Sequence, residues 1–156
     1  MTEPTTLRLP AELESLSELR RFVEEVATRG NGKPKAIDDM VLAADEAATN
    51  VIQHGYRGQP GYLEVEVGYE HDDLVVRLRD RAPSFDPGQV PGPDLAAPLE
   101  KRTLGGLGVY LMQALTDDVL YRSTPEGENE LTLIRRNARG SVDEEGEYDS
   151  CRSGWR

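Results

Sequence analysis

Glu46, Asn50 and His54 follow one another at four-residue spacing inside a stretch of helical periodicity, so they form one row on one helix face. At about 100° per residue that row lies away from the apolar stripe of Ile37, Ala44 and Val51. A polar row opposite a core stripe is commonly just the solvated side of a helix, and this one gains interest only from two later segments. Asp80 ends a predicted strand and opens the segment Asp80-Arg81-Ala82-Pro83-Ser84-Phe85-Asp86-Pro87, although an Asp in such a place can simply cap a turn. Gly105-Gly106-Leu107-Gly108 stands at a predicted helix start. There, backbone N–H groups and the positive end of the helix dipole can meet a phosphate with no Cβ in the way.

The elements that must position these residues are legible from periodicity. Thr6 to Leu9 predicts a short edge strand, and Leu13, Leu16, Leu19, Phe22, Val23 and Val26 predict an amphipathic helix closed by Gly30. A second helix is predicted from about Ala36 to His54, with Gly55 as its stop. Leu63, Val65, Val67 and Tyr69 alternate with polar residues or glycine, Leu74, Val76 and Leu78 repeat the period-two spacing, and a His71-Asp72-Asp73 turn joins the two strands. The stretch from Asp86 to Leu104 holds Pro87, Pro91, Pro93 and Pro98, and reads as a lid or an irregular loop. A short helix to about Leu115 and strands near Val119 to Arg122 and Glu130 to Arg135 complete the order. Helices and antiparallel strands segregated in this way predict an α+β fold. Its expected form is a two-layer sandwich in which a mixed, mostly antiparallel sheet carries helices on one face.

Composition sets the outer limits. The chain has 156 residues, enough for one domain, and 37% apolar content, enough for one core. That domain is expected over residues 1–138, with 139–156 an acidic tail that has little to pack. A net charge of −11 argues against a nucleic-acid partner, because binding a phosphate backbone needs collected Lys and Arg. No apolar run approaches the roughly 20 residues that span a bilayer, and no signal peptide is evident, so the expected location is the cytosol. The single cysteine, Cys151, has no neighbouring His or Cys to complete a metal site.

In this order the three motifs resemble the histidine-kinase-like ATPase superfamily, whose fold is the Bergerat sandwich, and within it the small anti-sigma factor serine-protein kinases. Asp45 through Tyr56 is similar to the asparagine box of that branch, Asp80 through Pro87 to its first glycine box, and Gly105 through Leu111 to its second. The resemblance spans about Thr6 to Asn137. It implies that Asn50 coordinates a Mg²⁺ bridging the phosphates of ATP, that Asp80 accepts a hydrogen bond from the adenine amino group, and that Glu46 is the general base. Ala82, Phe85, Gly105, Gly106, Leu107 and Gly108 would border the nucleotide, with His54 helping to shape the site. Lys101 and Arg102 either close over the phosphates or are exposed loop charges, and Thr132 matches a family position near the adenine.

One departure from the pattern is Ala82, which stands where the first glycine box has glycine, adding a methyl group and restricting positive φ. The implied partners are a sigma factor and an anti-anti-sigma protein of the STAS type, with a homodimer as the assembly. The exposed side of the first helix around Glu18, Arg20 and Arg21 is the expected partner surface, unless its arginines only make surface ion pairs. A sequestering module without transferase activity is the alternative. The catalytic domain of a two-component histidine kinase fits less well, since His54 and His71 are the only histidines and neither sits on a dimerising helix.

Overall fold

A computed structural model describes residues 2–83 and 104–140. Strand β1 (Thr2–Pro10) leads through a single 3₁₀ turn, Leu13–Ser15, into helix α1 (Leu16–Arg29). Helix α2 (Pro34–Asn50) follows and continues as a π-helical turn, Val51–Tyr56. The chain then runs through β2 (Tyr62–Glu70), β3 (Asp73–Asp80), α3 (Leu104–Leu115), β4 (Asp118–Ser123) and β5 (Asn129–Arg135).

Helix α1 forms because Leu19, Val23, Val26 and Ala27 recur on one stripe and are all buried. Its end at Gly30 is dictated by space: a Cβ there would lie 2.2 Å from the Tyr69 ring, whose hydroxyl donates to the Ala27 carbonyl at 2.7 Å. The left-handed residue is the next one, Asn31, at φ 65°. Helix α2 starts with Pro34 in its first turn, where the missing N–H would have no helical acceptor. Ala43, Ala44, Ala47 and Ala48 are buried along it, and these small side chains let α2 pack against both α1 and α3.

The five strands lie in the order β1-β2-β3-β5-β4. Every described pairing is antiparallel, so the parallel component expected of a mixed sheet is not found among these strands. β1 is an edge strand as expected, but a longer one, reaching from Thr2 to Pro10 with a register shift between Thr2 and Thr5. Leu63, Val65, Val67, Leu74, Val76, Leu78, Leu131 and Leu133 join the core beneath the helices. The opposite face is ionic: Arg79 reaches Glu64, Glu66 and Glu130, Arg77 reaches Glu66, and Arg122 reaches Glu130.

The packed chain also runs slightly past the expected boundary at 138. Gly140 donates its N–H to the Asn31 carbonyl at 2.9 Å, and Arg139 donates to the Gly30 carbonyl at 3.1 Å while its guanidinium lies 4.3 Å from the Tyr69 ring centroid. Residues 141–156 of the expected tail lie outside the described residues. No described helix is long and apolar enough to cross a membrane.

Candidate functional site

The site is built where the end of α2 meets the end of β3. Asn50 is the last α-helical residue, and from Val51 to Tyr56 the backbone bonds in π-helical fashion before Arg57 closes the run in the left-handed region, φ 53°. Sequence reading ends this helix at Gly55; the structure carries Gly55 inside the turn and makes Arg57 the terminator. Glu46 is half-buried and Asn50 only 3% exposed, whereas His54 faces solvent. Among the described residues the buried Asn50 Nδ2 has no hydrogen-bond partner. A buried amide left in that state favours a polar ligand beside it.

Tyr56 ties this turn to the strand. Its hydroxyl donates to the Tyr62 carbonyl at 2.8 Å and accepts the Arg81 N–H at 2.8 Å, so the residue after Asp80 is fixed from the helical side. Gly61 makes this possible, since a Cβ there would fall 2.1 Å from the Tyr56 ring.

Asp80 is 4% exposed at the end of β3. Its Oδ1 accepts the Ala82 N–H and the Asn129 side-chain amide, each at 2.9 Å. Asn129 donates a second bond to the Ala82 carbonyl at 2.9 Å and accepts the Tyr121 hydroxyl at 3.0 Å. Burial raises the Asp80 pKa above its ordinary range; the bonds from Asn129 and Ala82 oppose that rise, and the charge of Glu128 adds to it. Val51, Gly55, Leu131 and Ala82 complete a cleft with Asp80, Asn129 and Tyr121. The cleft thus sets one oriented carboxylate among apolar walls.

Ala82 fits without strain. It is not among the residues with positive φ, so the backbone restriction expected from its departure from glycine does not arise. Its methyl group lies where Gly55 leaves room.

On α2, burial raises the Glu46 pKa, and the neighbouring charge of Asp45 adds to the effect. Arg20 of α1 donates to Asp45 at 2.8 Å, so one arginine of the expected partner surface is engaged on the helix that carries Glu46 and Asn50.

Thr132 does not join this site. It pairs in register with Arg77 and Leu120 on the ionic face of the sheet, beside Glu130, because its parity on β5 is opposite to that of Asn129, Leu131 and Leu133. The residues that occupy the cleft instead, Asn129 and Tyr121, are missed by the sequence reading, although the Leu131 and Leu133 alternation already puts Asn129 on the inner face. Gly105, Gly106, Leu107 and Gly108 lie in the first turns of α3, so the glycine run stands at the helix start as expected. Phe85, Lys101, Arg102 and the expected lid from Asp86 up to Leu104, where α3 begins, lie outside the described residues.

Residues 9–135 match the family model for the histidine kinase-like ATPase domain. Over 124 residues the chain is 37% identical to the serine-protein kinase RsbW of Listeria monocytogenes serovar 1/2a, covering 76% of this chain and 79% of that one. It is 33% identical over 121 residues to the serine-protein kinase RsbW of Bacillus cereus strain AH187, covering 75% and 76%. Among solved structures it is similar to the RsbU and RsbW domains of a Mycobacterium tuberculosis protein, with a TM-score of 0.60 and 20% identity over 90% of this chain and 35% of that longer one.

Proposed function

Because the chain belongs to the histidine kinase-like ATPase family, we propose that it is an ATP-dependent serine/threonine-protein kinase and anti-sigma factor, which phosphorylates an anti-anti-sigma protein and otherwise holds a sigma factor inactive. The observation that carries this reading is the placement of the Asp80 cleft beside the helix end that bears Asn50 and Glu46.

In this reading Asp80 accepts a hydrogen bond from the adenine amino group through Oδ2, the oxygen that receives no bond from the described residues, while Oδ1 is held in place. The apolar walls exclude water from the base. The buried Nδ2 of Asn50, without a partner among the described residues, would donate to a phosphate oxygen, and its carbonyl oxygen would serve as a Mg²⁺ ligand from a rigid helix. When bound, Mg²⁺ neutralises charge that develops on the phosphate oxygens. Glu46 receives the proton of the partner's serine or threonine hydroxyl as that oxygen bonds to the γ-phosphorus and the bond to the β-phosphate oxygen breaks, releasing ADP. Its raised pKa suits a group that must accept a proton near neutral pH.

The alternative of a sequestering module without transferase activity draws its support from Ala82, and the unstrained backbone there removes much of that support. The proposal includes the homodimer, the STAS-type partner, action in the cytosol and a role in stress response, as the family resemblance implies. Incubation with labelled ATP and a candidate anti-anti-sigma protein tests the kinase: phosphoserine or phosphothreonine on the partner supports it. Tight Mg-ATP binding with no transfer to any partner that the chain captures selects the sequestering module.

A further inference from the structure

Asn129 is fully committed. One amide hydrogen goes to Asp80 Oδ1, the other to the Ala82 carbonyl, and its own carbonyl oxygen takes the Tyr121 hydroxyl. The residue is buried, and it lies directly across the ladder from Asp80. A side chain so occupied has no donor left for a ligand, and its influence must pass through the carboxylate it holds.

We infer that Asn129, oriented by Tyr121, is the positioning residue that gives the cleft its selectivity for a 6-amino purine, by holding Asp80 as an acceptor with Oδ2 available to the base. The inference rests on the nucleotide-binding reading above. A buried carboxylate takes up a proton readily when the groups that bond its charged form are removed. Once protonated, Asp80 can donate as well as accept, and the preference for a 6-amino over a 6-oxo group collapses. Asn129 also closes the loop Asp80-Ala82-Asn129 at the cleft edge: Asp80 accepts the Ala82 N–H, and Asn129 donates to the Ala82 C=O. Tyr121 acts one step further out: without its hydroxyl, nothing described orients the Asn129 amide from the β4 side.

The test compares ATP with inosine triphosphate, which carries a carbonyl in place of the amino group, by calorimetry on the parent chain, Asn129→Leu and Tyr121→Phe. Leucine keeps the volume and removes all three hydrogen bonds. We expect Asn129→Leu to lose affinity for ATP on the order of tenfold or more while inosine triphosphate binding changes little, and Tyr121→Phe to lose less in the same direction. A merely structural role would weaken both nucleotides together and leave their ratio unchanged. Tyr121→Phe removes one atom at a half-buried site, so it reads out the ratio even if Asn129→Leu does not fold. A parental preference for ATP that survives intact in the folded variants overturns the inference alone. A parent that binds the two nucleotides alike overturns it together with the adenine reading.

Discussion

Gly55 and Ala82 face each other with room for one methyl group: a Cβ built on Gly55 would lie 3.0 Å from the Cβ of Ala82. The helical turn and the strand exit are therefore fitted to each other. Two effects compete in Gly55→Ala. Alanine gains up to about 1 kcal/mol of helical preference, whereas overpacking a close contact typically costs about 1–3 kcal/mol. The contact should win, giving net destabilisation. In the Ala82→Gly background the same change should be neutral or stabilising, so thermal unfolding of the four-member cycle should show coupling of about 1 kcal/mol or more.

Asn50→Ala should fold about as stably as the parent, because the amide it removes is buried with Nδ2 unpartnered and contributes no hydrogen bond there to lose. Mg-ATP affinity should fall by at least about tenfold, the loss of one good charged contact. Calorimetry with and without Mg²⁺ checks this, and parental Mg-ATP affinity in the variant would rule out the metal role.

Glu46→Gln should keep nucleotide affinity and lose partner phosphorylation, since the amide preserves shape without basicity. The pH profile carries the same information. Burial and Asp45 raise the Glu46 pKa, and a base works only when deprotonated. Transfer should therefore decline as pH falls through a value above the usual glutamate range, and the single-turnover rate measured against pH should show that limb shifted upward from where an exposed glutamate would put it.

Tyr56→Phe removes the hydroxyl that satisfies both the Tyr62 carbonyl and the Arg81 N–H. Leaving such groups unpaired costs about 1–3 kcal/mol each when no water replaces the lost partner. Denaturant unfolding should show a loss of about 2 kcal/mol, and ATP affinity should fall with it, because Arg81 directly follows Asp80, the carboxylate proposed to read the base. Unchanged stability would mean that the clip between helix and strand is made elsewhere.

The Arg20→Glu, Arg21→Glu pair tests the partner surface. Arg20 is 45% exposed at its side chain and bonds Asp45, so its reversal both removes that bond and places like charges together. Exposed ion pairs contribute only about 0.2–1 kcal/mol, so stability should change little. Capture of a sigma factor or anti-anti-sigma protein should weaken several-fold while ATP binding persists. Equal recovery of both partners in a pull-down would move the interface to another face.

Much of the framework follows from local rules. The stripe Leu19, Val23 and Val26 requires a helix, and Leu63, Val65 and Val67 require a half-buried strand, because apolar spacing of 3.6 or 2 can bury its residues in only one regular conformation. Asn50 and Asp80 close α2 and β3, two elements that the same periodicity marks.

What the sequence by itself determined was therefore the elements and their order; the tertiary structure decided which residues meet where α2 and β3 end. The π-helical turn carries the helix past Gly55 to a left-handed end at Arg57, a change of backbone bonding that side-chain periodicity hardly registers. The β3–β5 register sets Asn129 across from Asp80 and leaves Thr132 on the ionic face. Register is a long-range choice in which a shift of one residue exchanges the two faces of a strand, and only the closed ladder of hydrogen bonds fixes it.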